Sequence, residues 1–249
     1  MSTFYVKNAQ IIENKINIEG SDYNHIKNVL RLKTGEKIDI CDESQVRYNV
    51  EIESFSDKNV ICKIESVDEK TTESPINITL FQGLPKGDKL DLIIQKTTEM
   101  GVNTIIPVQM SRSIAKIDDK NQEKKLERWN KISLEASKQC GRQRVPSIEK
   151  AINFKNIIEN ISKYDIVLLP YENEKTVTIK KALKSIGDSG KSFKNIAVII
   201  GPEGGFSEEE IKTILMLENV HIVSLGPRIL RTETAGIATL AMIMYELEL

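Results

Sequence analysis

Two histidines and three cysteines are all that the chain's 249 residues contain. Cys41, Cys62 and Cys140 lie far apart, and neither His25 nor His221 stands at ligand spacing from them. The tetrahedral zinc patterns are therefore excluded and no metal site is expected. The cysteines read as reduced and mostly buried. No apolar run approaches the length that crosses a bilayer. The stretch "MSTFYVKNAQ" lacks a signal-peptide pattern, so a cytoplasmic protein is expected. The formal net charge is only −1, which offers no global attraction to nucleic acid.

Hydrophobic residues make up 40% and charged residues 29%, as in an ordinary globular protein large enough for one large domain or two small ones. Charge is segregated along the chain. From Lys120 to Arg144 there are eight basic and three acidic residues. The first seventy residues hold short segments rich in Val, Ile and aromatics, such as "EKIDICDE" and "NVICKIESV". One helix interrupts them, "DYNHIKNVLRL", which Ser21 can cap and whose apolar side is Tyr23, Ile26, Val29 and Leu30. A small barrel with one helix is the simplest packing. The polar run "DEKTTESP" (68–75) reads as a linker. Beyond it strands and helices alternate, including a long helix from about Asn121 to Cys140. That pattern predicts an α/β domain: a parallel sheet with helices on both faces. The domains expected are 1–72 and 73–249.

In such sheets ligands bind beyond the carboxyl ends of the strands. The strand "NIAVII" ends in "GPEGGFSEEE". Glycine turns before helices often hold phosphate, but here the Walker lysine is missing and the glycine spacing fits no dinucleotide fingerprint. Ser207 and Glu210 form an S-x-x-E capping box, with Glu208 and Glu209 beside them. Three carboxylates at the helix start repel a phosphate. The loop is better suited to present backbone groups closely to a ligand without phosphate. A second loop, "LGPRILRTETA", opens a helix that is apolar nearly all round (Ile237, Leu240, Ala241, Met242, Ile243, Met244, Tyr245, Leu247). Burial on every side is expected, with a partner subunit covering part of it.

Taken together, "GPEGGFSEEE" and "LGPRILRTETA" resemble the SPOUT methyltransferases, and most closely the RsmE family. The likeness extends over most of the chain: "HIKNVLRLKTGEKIDICD" is similar to that family's N-terminal PUA-like β-barrel. "KGDKLDLIIQKTTEMGVNTIIPVQMSRS" and "RWNKISLEASKQCGRQRVPSI" are similar to its central segments. The resemblance implies a SPOUT trefoil-knot sheet, a homodimer, and S-adenosyl-L-methionine bound in the knot. It implies methylation of N3 of a uridine in 16S ribosomal RNA of the small ribosomal subunit. By position, Leu169 and Pro170 would line one wall of the cofactor site. Gly201, Glu203 and Gly204 would form the second. Leu225, Gly226, Ile229, Leu230, Arg231, Thr234 and Ala235 would complete the third. For catalysis, Arg231 is the candidate cation stabilising a uridine anion, and Glu233 and Glu203 are candidate proton acceptors.

RNA binding must come from patches. On the long helix Leu126, Trp129, Ser133, Ala136 and Cys140 share one face. Lys124, Arg128, Lys131, Lys138 and Arg142 share the opposite face. Arg112, Ser113, Gln139, Arg142 and Arg144 lie in stretches similar to the family's, and Lys27, Arg31 and Lys33 would supply the barrel's contribution. Two alternatives stand beside this reading. One is a non-enzymatic RNA-binding or ribosome-assembly factor on the same scaffold. The other is a nucleotide-dependent α/β enzyme, which the missing lysine and acidic helix start oppose.

Overall fold

The structure is a computed structural model that describes residues 3–116, 119–187 and 194–247. The chain divides into two compact units. The first runs to Glu73 and takes in Ser137–Arg144, and the second comprises Ser74–Ala136 and Val145–Leu249.

In the first unit six strands lie in the order β1 (Thr3–Tyr5), β4 (Lys37–Cys41), β5 (Arg47–Phe55), β6 (Asn59–Asp68), β3 (Lys15–Glu19) and β2 (Ile11–Ile12). Alternate residues supply one core: Ile16 and Ile18, Ile38 and Ile40, Val50 and Ile52, Val60 and Cys62 are all buried there. The side-chain period of two in a strand puts them on one face. The helix α1 (Gly20–Asn24) continues as a π turn, His25–Val29. It buries Tyr23 and Ile26 as expected. Two expectations fail. Gly20, at φ 69, turns the chain from β3 straight into the helix, so Ser21 lies inside the first turn and caps nothing. Val29 is 68% exposed because the wider π turn, closed by the Leu30 N–H on the His25 carbonyl at 2.9 Å, rotates it outward.

A buried cluster joins Ser137–Arg144 to this unit. The Glu73 carboxylate accepts from Arg142 Nε (3.2 Å) and Nη2, and from the N–H groups of Gln143 (3.0 Å) and Arg144 (3.2 Å). Tyr5 donates its hydroxyl to the Arg142 carbonyl at 2.7 Å. The "linker" ending at Pro75 is thus anchored at Glu73 before it reaches the second unit.

The second unit is a seven-stranded sheet in which every pairing is parallel. Its strands are β7 (Asn77–Gly83), β8 (Thr104–Gln109), β9 (Ser147–Ile148), β10 (Ile152–Asn153), β11 (Ile166–Pro170), β12 (Asn195–Ile200) and β13 (Val220–Val223). The order is β10-β8-β7-β12-β11-β13, with β9 also on β8. Its helices are α2 (Lys89–Glu99), α3 (Asp119–Cys140) as far as Ala136, α4 (Phe154–Asn160), α5 (Ile179–Gly187), α6 (Glu208–Ile214) and α7 (Thr232–Leu247). Strand residues divide strictly between two cores. Ile78, Leu80, Ile166, Leu168, Ile196 and Val198 meet residues of α2, α3, α5 and α7. Phe81, Val167, Leu169, Ala197 and Ile199 meet α4 and α6. Both faces are covered, as a parallel sheet requires.

The inward face of α3 is as expected through Trp129, Ser133 and Ala136, but Cys140 at its end is exposed. Arg142 is not on the outer stripe. The helix stops at Gly141 (φ 72), and the Arg142 side chain is only 7% exposed against Glu73. Lys120, counted in the basic stretch, has a side chain outside the described residues. On α7, Met242 and Tyr245 are 39% and 65% exposed in the single chain.

Removing one partner of a buried ion pair strands the other charge. Arg142→Ala should therefore lower unfolding stability by about 3 kcal/mol in urea denaturation. Lys124→Ala on the exposed face should change it by less than about 0.5 kcal/mol.

Candidate active site

The carboxyl ends of β7, β12, β11 and β13 lie side by side, and the loops leaving them are tied together. A Cβ on Gly83 would lie 2.5 Å from the Pro202 nitrogen, so the end of β7 meets the glycine loop backbone to backbone. The loop turns at Gly205 (φ 67), whose N–H donates to the Pro202 carbonyl at 2.9 Å. Thr232, at the start of α7, donates its hydroxyl to the Gly201 carbonyl at 2.7 Å and accepts from Gln82 Nε2 at 2.9 Å. Arg112 donates to the Gly204 carbonyl at 3.2 Å.

The capping box forms. Glu210 N–H donates to Ser207 Oγ at 3.2 Å, and Ser207 N–H donates to Glu210 Oε2 at 2.9 Å. Glu210 is buried, and its other oxygen accepts from the Ser111 N–H at 2.9 Å. The start of α6 is thus occupied by its own side chains, with Glu208 and Glu209 exposed beside it. A phosphate would meet carboxylates there.

These loops enclose a cavity of about 340 Å³. Nine of the sequence-derived cofactor residues line it: Pro170, Gly201, Glu203, Leu225, Gly226, Ile229, Leu230, Arg231 and Ala235. Three do not. Leu169 is fully buried in the core on the α4–α6 face, Gly204 packs against Arg112, and Thr234 is exposed off the wall. The cavity also takes Tyr171 and Phe206, in edge contact at 6.5 Å between ring centres, and Ser224, Lys175 and Arg228. Phe206 and Arg228 stand within the quoted motifs and could have been read from them.

Lys89, the first residue of α2, was missed altogether. It comes 114 residues before Glu203 in the chain, yet its Nζ lies 2.8 Å from Glu203 Oε1. It also lies 3.6 Å from Glu233 Oε2, which brings the two candidate acceptors onto one ammonium. The hydrogen bond to Glu203 holds the Lys89 pKa above its usual value. Burial pushes the Glu203 carboxyl up, but Lys89 and backbone N–H groups, Lys86 among them, outweigh it and hold the group below the usual carboxylate range. Both are charged at neutral pH. Arg231 is exposed, with no side-chain hydrogen bond or ion pair among the described residues.

Comparison with known proteins decides the family. Residues 72–244 match the RNA methyltransferase domain, and residues 18–65 match the RNA methyltransferase PUA domain. The ribosomal RNA small subunit methyltransferase E of Bacillus subtilis (strain 168) is 37% identical over 93% of this chain and 90% of its own length. The chain belongs to the ribosomal RNA small subunit methyltransferase E family. The family's enzyme from Neisseria gonorrhoeae, solved bound to S-adenosyl methionine, superposes with a TM-score of 0.83 at 29% identity, covering 98% of this chain and 97% of that one. A methyltransferase of Legionella pneumophila in complex with its cofactor SAM superposes at 0.82, with 29% identity and coverage of 98% and 96%.

A methyltransferase E acts on RNA, and the candidate RNA residues fall into two groups. Lys33, Arg31, Lys124, Lys131 and Gln139 are exposed, with no side-chain hydrogen bond or ion pair among the described residues. Lys27 is exposed too, its Nζ on the Tyr23 hydroxyl and ring. The others are engaged. Arg128 pairs with Asp91 and Asp88, Lys138 with Asp22 at 3.1 Å, and Arg142 with Glu73. The Ser113 hydroxyl accepts from the Met110 N–H at 3.1 Å in a buried turn. Arg112 holds the glycine loop, while Arg144 is half-buried and only its backbone N–H is bound, by Glu73.

A carboxyl whose pKa is depressed by folding stabilises the fold above its unfolded pKa, and that contribution is lost as pH falls through the folded value. The stability difference between wild type and Glu203→Gln should therefore shrink as urea midpoints are compared from about pH 6 down to about pH 3.

Proposed function

We propose that this chain transfers a methyl group from S-adenosyl-L-methionine to N3 of a uridine in 16S rRNA of the small ribosomal subunit. The observation that carries the reading is the cavity itself: apolar side chains and glycine backbone from three loops, beside a helix start closed to phosphate by its own carboxylates. That chemistry fits an adenosine without phosphate. Leu225, Ile229, Leu230 and Ala235 would cover the adenine, and the backbone at Gly201 and Gly226 can approach it closely. When bound, the cofactor supplies a methyl group made electrophilic by a sulfonium.

The chain's own contribution is position and charge. Arg231 has an unpaired guanidinium at the cavity, suited to negative charge building on the uridine ring. Glu203, on the cavity wall, and Glu233, beside it on the same Lys89 ammonium, are the candidates to take the N3 proton. The succession β12, α6, β13, α7, with α7 returning to pack on β12 and α2, supports the trefoil-knot topology. Met242 and Tyr245 of α7 and Leu92 of α2 are exposed apolar residues on packed helices, which supports a homodimer. Lys27, Arg31, Lys33, Lys124, Lys131 and Gln139 would meet RNA, in a cytoplasmic setting where small subunits are assembled.

Calorimetry should detect S-adenosylmethionine binding and no binding of ATP or NAD. Arg231→Ala should abolish methylation of N3 on small-subunit substrate, read by mass spectrometry of the RNA, while the protein remains folded. Normal turnover of that variant would remove Arg231 from the mechanism. Lys124→Glu with Lys131→Glu should weaken RNA binding and flatten its dependence on salt by about one to two phosphate contacts. Unchanged affinity would take α3 out of the interface.

A further inference from the structure

We propose that Lys89 is the positioning residue of this site, orienting Glu203 as the acceptor of the uridine N3 proton and holding Glu233 as its own buried counter-charge. The inference rests on the methyl-transfer reading above and divides roles that the reading leaves equal between two carboxylates.

Lys89 and Glu203 both lie on the cavity wall, whereas Glu233 is absent from it. Glu203 Oε1 is fixed by two donors from one short stretch, Lys89 Nζ at 2.8 Å and the Lys86 N–H at 3.1 Å. Two donors on one oxygen set the direction of the whole carboxylate. Glu233 is placed differently. Its Oε2 is buried, makes no hydrogen bond, and has the Lys89 ammonium 3.6 Å away. A buried carboxylate oxygen without a hydrogen bond is costly unless a cation compensates it. The first turn of α7 adds a favourable dipole. Glu233 therefore balances Lys89, which also has Arg231, just before α7, within electrostatic reach.

The depressed pKa of Glu203 keeps it ionised and able to accept a proton as the N3–carbon bond forms. A weakly basic carboxylate takes the N3 proton only in concert with methyl transfer. As the N3–H proton passes to Glu203, the electron pair it leaves on N3 forms the bond to the methyl carbon, and Arg231 offsets the negative charge that builds on the ring. The electrons of the broken methyl–sulfur bond stay on sulfur, and Glu203 afterwards gives the proton to water. Lys89 touches no reacting atom and acts through the carboxylate it holds.

The test compares wild type with Lys89→Gln, Lys89→Arg, Glu203→Gln and Glu233→Gln. One readout needs no cofactor: ¹³C NMR titration of glutamate carboxyls in the free protein. Lys89→Gln should move the Glu203 titration up toward the ordinary carboxylate range. With S-adenosylmethionine and small subunits it should lower kcat about 10²-fold, while cofactor affinity by calorimetry stays within about threefold. Lys89→Arg, which keeps the charge, should recover most of that loss and restore the low Glu203 titration. Glu203→Gln should lose at least as much as Lys89→Gln. Glu233→Gln should lower the melting temperature and cost less than about tenfold in kcat. A Glu203 titration unmoved by Lys89→Gln, or wild-type turnover in that variant, overturns the proposal. So does a Glu233→Gln variant as inactive as Glu203→Gln with an unchanged melting temperature. If wild type bound no S-adenosylmethionine, the methyl-transfer reading would fall and the acceptor role with it. The NMR titration would still show separately whether Lys89 sets Glu203.

Discussion

The backbone of β7 touches the backbone of the glycine loop at Gly83 and Pro202, with no space for a single side-chain carbon between them. The rest of the site depends on that contact. It fixes where the chain leaving β12 must go, and Thr232 then ties the start of α7 to the same loop through the Gly201 carbonyl. Gln82, buried next to Gly83, reaches the same Thr232 hydroxyl. Two strand ends and a helix start, far apart in the chain, thus share one small set of hydrogen bonds. The loops at the ends of β7 and β12 and the start of α7 are tied to one another, the arrangement a site needs if it is to hold a ligand without reorganising.

Around this frame the polar residues divide their labour by burial. Glu210 closes the start of α6 and at the same time carries the loop after β8 through the Ser111 N–H. Glu73 gathers Arg142, Gln143 and Arg144 and so fastens the turn just beyond α3 to the first unit. In both cases a carboxylate is buried because several donors converge on it, the arrangement that makes such burial tolerable. The cavity carries its charge differently, with Lys89 between two carboxylates and Arg231 left unpaired beside them. Among the described residues, the buried ions of Glu73, Arg142 and Glu210 thus serve architecture, while the cavity wall keeps an unpaired cation.

Much of this was legible in the chain. The division of β7, β11 and β12 into two faces follows from continuous apolar strands between amphipathic helices, and the capping box at Ser207 and Glu210 formed as its spacing implied. Nine of the twelve positions expected to meet a cofactor lie on the cavity because they sit at or just beyond strand ends, or where α7 begins, which the alternation of strands and helices locates. Leu169 and Thr234 fell outside because a strand or helix start exposes only alternate or every third side chain to one side. The basic stripe misled more. Arg128, Lys138 and Arg142 share a face by spacing, yet each is claimed by an acid from elsewhere in the fold.

The sequence by itself determined the class of the fold, the loops that enclose the cavity and the capping box that fills the start of α6. Each of these depends on residues within about one helical turn or one strand of each other, where spacing translates directly into geometry. Only the tertiary structure decided which charges are free. Lys89 and Glu203 are 114 residues apart, and Arg142 and Glu73 are separated by 69. Whether a cation meets solvent, a ligand or a buried carboxylate is set by long-range packing, and no local pattern encodes it.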